Sequence, residues 1–108
     1  MNERQIPLPP SFIALHVPPG RQRPVESREQ LEARHELCED LAQMLTESTA
    51  ARRAELGVTE FDVLERVHRG LCAEGSPVSS VEAGWVVCRL AELLGWELPV
   101  ERLQPAAE

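Results

Sequence analysis

The stretch SSVEAGWVVCRLAELLG, residues 79–95, decides how the rest of this chain folds. Ser79 and Glu82 stand three apart, the spacing at which a hydroxyl and a carboxylate cap each other's backbone N–H, so a helix starts here. Gly95 supplies a left-handed stop. Between them, at about 100° per residue, Ala83, Val87, Leu90 and Leu94 form a bulky apolar lane. Gly84, Cys88, Ala91 and Gly95 form an adjacent lane of small residues, and only a narrow strip with Glu82, Arg89 and Glu92 is polar, with Trp85 projecting inside it. A helix apolar over so much of its circumference has to be covered on most sides, so a helix over 80–94 is expected at the centre of the fold. Two short neighbours and an arm offer little cover, and the small lane lets another helix backbone come close. Gly84, Trp85, Cys88 and Ala91 are therefore expected at a homodimer contact.

Working outward, two further amphipathic segments precede it. Thr59 caps a helix over 60–73, with Asp62 as reciprocal partner and Val58 and Val63 at hydrophobic-staple positions. Val63, Leu64, Val67 and Leu71 form its apolar lane, with Phe61 and His68 at the border. A longer helix is expected over 27–56, opened by a Ser27–Gln30 capping box and closed by Gly57. Leu31, Leu37, Cys38, Leu41, Ala42, Met44, Leu45 and Leu56 fall on one of its faces, and Glu29, Glu32, Glu36, Glu39, Asp40 and Glu47 on the other. Arg34 falls within the apolar face, where its stem snorkels to the edge or its guanidinium meets a carboxylate such as Glu55 or Glu74.

Residues 1–25 read differently. Pro7, Pro9, Pro10, Pro18, Pro19 and Pro24 cut this arm into pieces too short for a long helix. The cassette SFIALHV, residues 11–17, either turns helical or runs extended, since periodicity does not arbitrate at that length. Ile6-Pro7-Leu8-Pro9-Pro10 suits an aromatic groove as a polyproline segment. Phe12, Ile13, Leu15 and Val17 are costly to leave in water, so the cassette either completes its own core or reaches a second subunit or another protein. Arg21 and Arg23 give the arm positive charge, and the acidic face of the long helix is a matching surface. The domain plan is thus a proline-rich arm over 1–25, a helical domain over 26–98 and an irregular tail over 99–108.

The 108 residues suffice for one small domain. All 11 basic residues are arginine, against 18 acidic ones, giving a net charge of −7. Without lysine there is no P-loop, no pyridoxal Schiff base and no usual kinase phosphate anchor. The longest uninterrupted apolar or glycine run, Ala83 to Cys88, is far too short to span a bilayer. The first residues lack the basic-then-apolar pattern of a secretory signal. Three well-separated cysteines, Cys38, Cys72 and Cys88, do not make a disulfide framework and read as reduced thiols of a cytoplasmic protein.

The residue inventory bears on three chemistries. His35 and Cys38 are three apart and His68 and Cys72 four apart, each pair on one helix surface, but structural zinc sites favour tight Cys-x-x-Cys turns, and no metal site is expected. The 60–73 and 80–94 helices invite a helix-turn-helix reading, yet the would-be recognition helix carries Arg89 against Glu82 and Glu92, where phosphates need concentrated positive charge. No Gly-x-Ser-x-Gly, Gly-x-Gly-x-x-Gly or His-Glu-x-x-His motif is present, and no catalytic or cofactor-binding residue is assigned.

Pro9-Pro10-Ser11-Phe12-Ile13-Ala14-Leu15, Glu36-Leu37-Cys38-Glu39-Asp40-Leu41-Ala42 and Glu82-Ala83-Gly84-Trp85-Val86-Val87, with the layout of the whole chain, resemble a group of small uncharacterised proteobacterial proteins. Some of these carry the label "ATPase with chaperone activity". In a lysine-free chain this short the resemblance implies association with a chaperone or protease ATPase, as an adaptor or accessory factor, and no ATPase site of its own. The expectation is an all-α, three-helix, cofactor-free interaction domain with no nucleic-acid or membrane partner. Pro9, Pro10, Phe12, Leu15, Arg21, Arg23, Arg34, Gly84, Trp85, Cys88 and Ala91 are its candidate contact residues.

Overall fold

A computed structural model describes residues 8–97, and every regular element among them is an α-helix. The helices are α1 (Pro10–Leu15), α2 (Arg28–Met44), α3 (Thr46–Leu56), α4 (Glu60–Leu71) and α5 (Ser80–Leu94). The expected tail over 99–108, and Ile6 and Pro7 of the polyproline segment, lie outside the described residues. The chain divides into two compact units, residues 1–37 and 38–108, with the boundary inside α2.

In the first unit the cassette is helical. Pro9 is extended (φ −61°, ψ 138°) and Pro10 takes the first helical position, where a missing N–H costs nothing. Both Phe12 and Ile13 donate their N–H to the Pro9 carbonyl, at 3.0 and 3.1 Å. Phe12 is fully buried, its ring 5.1 Å from His16 and 5.3 Å from His35 between centroids, the latter edge-on. The chain then turns at Pro18-Pro19-Gly20-Arg21: Arg21 N–H reaches the Pro18 carbonyl at 3.1 Å, and Gly20 takes φ +79°, the third-position geometry of a type II turn. The Ser27–Gln30 capping box forms as expected, with Ser27 N–H donating to Gln30 Oε1 at 2.8 Å and Gln30 N–H to Ser27 Oγ at 3.1 Å.

In the second unit α3, α4 and α5 pack on one another. The Ser79–Glu82 box is complete: Glu82 N–H donates to Ser79 Oγ at 3.2 Å and Ser79 N–H to Glu82 Oε1 at 2.9 Å. Glu82 is thereby buried with its carboxylate bonded. α5 ends in a Schellman motif, Trp96 N–H on the Ala91 carbonyl (2.9 Å) and Gly95 N–H on that of Glu92 (3.1 Å), with Gly95 at φ +73°. Trp96 thus belongs to the cap of α5. Thr59 caps α4 by accepting from Asp62 N–H at 3.1 Å.

The helix expected to run unbroken over 27–56 is interrupted at Leu45. Its N–H is shared between the Leu41 and Ala42 carbonyls, at 3.1 and 3.3 Å. The cause is the hydroxyl-rich run that follows: Thr46 Oγ1 donates to the Gln43 carbonyl at 2.9 Å and Ser48 Oγ to that of Leu45 at 3.3 Å, competing with the backbone ladder. The resulting α3 is thinly docked. Thr49 is its one buried residue, and Ala50 through Leu56 are all exposed. The Thr49 hydroxyl has no hydrogen-bond partner among the described residues.

A buried, unsatisfied hydroxyl costs about 1–3 kcal/mol, and valine has the same shape without it. Thr49→Val is therefore expected to raise unfolding stability by about 1 kcal/mol. Urea denaturation checks this: the midpoint should rise at constant slope.

Candidate functional site

α5 places its side chains in two sectors. Glu82, Ala83, Val86, Val87, Leu90 and Ala91 are buried within the single chain. This corrects the expectation that one copy of the chain offers little cover: the bulky lane is largely enclosed at home, and Ala91 is a core residue. What stays partly in water is narrower. Val81 is 36% exposed, and Gly84, Trp85 and Cys88 are half-buried, at i, i+3, i+4 and i+7 along one side of the helix. Leu93, one turn beyond Arg89, is 38% exposed on the flank.

The flank of this strip is held by a charged network that sequence spacing did not reveal. Arg89 is clamped on Glu39 of α2: Nε donates to Oε1 at 2.9 Å and Nη2 to Oε2 at 3.0 Å. Its Nη1 reaches Glu92 Oε1 at 3.0 Å, and Gln43 Nε2 donates to Glu39 Oε2 at 2.7 Å. The Glu39 bonds, and then those of Glu92, push the guanidinium further toward its charged form. Glu39 and Arg89 are fifty residues apart, and no local pattern announces such a pair. Arg28 Nε likewise meets Glu32 Oε2 at 2.9 Å. Two of the six carboxylates on the acidic face, Glu32 and Glu39, thus have arginine partners.

The remaining candidates are dispersed. Phe12 is core rather than surface, because its ring is fully enclosed. Pro9, Leu15 and Arg34 are half-buried, while Pro10, Arg21 and Arg23 are exposed. Glu55 and Glu74, the carboxylates named for Arg34, are both exposed. The second contact missed from sequence joins Arg53 of α3 to Trp96, the guanidinium carbon 6.0 Å from the indole centroid, with Arg53 Nη2 also 4.0 Å from Glu60 Oε2.

Among the cysteines, Cys38 is buried, Cys88 half-buried and Cys72 exposed, all as free thiols. Burial, and then the nearby Glu92 charge, push the Cys88 thiol up from its usual range, keeping it protonated. His68 and Cys72 meet, with Nε2 and Sγ 3.7 Å apart. Among the described residues no three histidine, cysteine or acidic side chains converge to hold a metal ion, and no helix is long and apolar enough to cross a membrane.

No family model, no curated protein and no solved structure matches this chain.

Because Arg89 and Glu39 are both partly solvated, their pairing is expected to contribute modestly, about 0.5–1 kcal/mol. A double-mutant cycle of Arg89→Gln and Glu39→Gln in urea denaturation measures that coupling, which should shrink as salt rises from low to near-molar concentration.

Proposed function

We propose that this chain is a non-enzymatic protein–protein interaction domain that self-associates through the outer strip of α5. The observation that carries this reading is the Val81–Gly84–Trp85–Cys88 strip: on α5, the most apolar of the four longer helices, the side left toward water is itself apolar at helix-contact spacing. Gly84 and Cys88 are small enough for a facing helix backbone to come close, while Val81 and Trp85 supply area to bury. A second copy presents the same strip, and a two-fold axis brings the two strips face to face, small residues opposite the facing helix. Arg89, bonded to both Glu39 and Glu92, offsets one of the two carboxylate charges on the flank and so reduces the repulsion between two copies of a chain of net charge −7.

That same engagement weighs against the helix-turn-helix reading, because the one arginine of α5 is already occupied by carboxylates. Three free cysteines, odd in number, support a reducing, cytoplasmic setting. An adaptor role beside a chaperone or protease ATPase uses the same strip with a different occupant.

Val81 lies in the first turn of α5, where a carboxylate is favoured by the helix dipole, so Val81→Glu charges the strip without unsettling the fold. Sedimentation equilibrium at about 100 µM, enough to populate an interface of micromolar affinity, is expected to show a dimer for the parent and a monomer for Val81→Glu, with equal helicity. A monomeric parent at that concentration contradicts self-association, and recovery of a defined heterologous protein by the parent alone then favours the adaptor role.

A further inference from the structure

The cysteine–histidine contact at the end of α4 has no part in the reading above. Cys72 caps the C-terminus of α4 and is the exposed member of the three cysteines. One turn earlier, His68 sets Nε2 3.7 Å from its sulfur, within hydrogen-bonding reach of a thiol. Arg69, exposed and three residues before Cys72, falls on the same side of the helix. A nucleophilic sulfur needs a base within reach of its proton, and the His68 imidazole stands at that distance. Cys38 is shut away in the core, and Cys88 is half-buried.

We propose that Cys72 and His68 form a reactive thiol–imidazole pair at which the chain takes up a thiol from a small disulfide as a mixed disulfide. With its own proton on Nδ1, His68 accepts the Cys72 S–H proton at Nε2. The Cys72 thiolate attacks one sulfur of the small disulfide; a new S–S bond forms to Cys72 as the old one breaks. The departing thiolate leaves with the bonding pair and takes the proton back from His68. The protein thiol is oxidised, the small disulfide is reduced to one free thiol, and no other oxidant enters. Arg69, exposed on the same side of the helix, offers its charge to a carboxylate on the incoming molecule, which points to an anionic disulfide of the oxidised-glutathione type.

The test treats the full chain with oxidised glutathione and locates adducts by mass spectrometry of peptides over time. A single adduct at Cys72 is expected, absent in Cys72→Ser. Cys72 should react faster in the folded chain than in urea, where all three thiols become alike. His68→Gln, with helicity checked by circular dichroism, should slow the adduct by about tenfold or more. Modification of Cys38 or Cys88 as fast as Cys72 overturns the site. A Cys72 rate no higher folded than unfolded, or unchanged in His68→Gln, overturns the pair.

Discussion

Ala83, Val86, Val87, Leu90 and Ala91 are removed from water in the folded chain, and the rest of the second unit is arranged around that removal. Each large side chain in this set contributes about 1.5–3 kcal/mol, more than a surface ion pair supplies. The helix ends are finished so that this apolar face can sit inside: the Ser79–Glu82 box satisfies the first turn, and the Schellman turn at Gly95 and Trp96 satisfies the last. Glu82 shows the logic most clearly, since a carboxylate enters the interior there only because it is engaged with the Ser79 N–H.

α3 stands at the opposite extreme. It contributes one buried residue, and that residue is a threonine with an unsatisfied hydroxyl. Its ends and long-range contacts are polar or geometric: the shared hydrogen bonds at Leu45, the left-handed Gly57 with its N–H on the Arg53 carbonyl, and Arg53 against Trp96 and Glu60. A helix with so little apolar burial belongs to the low-stability end of a fold, where local opening precedes global unfolding.

Helix identity and most helix ends were legible in the sequence because local chemistry decides them. Ser27 with Gln30, Ser79 with Glu82, Gly57 and Gly95 all act where their spacing placed them, and Thr59 forms half of its expected box by accepting from Asp62 N–H. The break at Leu45 was missed although its signal is present in Thr46, Ser48 and Thr49, since the apolar period continues through it and the hydroxyls act on the backbone, outside that period. The Arg89–Glu39 clamp and the Arg53–Trp96 contact were not legible at all, because their partners are brought together by tertiary folding across tens of residues. Of the candidate site, Gly84, Trp85 and Cys88 do share a part-exposed strip, whereas Phe12 and Ala91 turn inward: periodicity reports which side of a helix is apolar, not how much of it the chain itself encloses.

Native-state amide hydrogen exchange tests most directly the claim that α5 is the centre of this structure and α3 its loosely held neighbour. The account predicts that amides of residues 83–91 exchange only through global unfolding, with the steep urea dependence of the whole chain, while those of 50–56 exchange by small local openings insensitive to urea. Protection of α5 no greater than that of α3, with the same urea dependence for both, would contradict it.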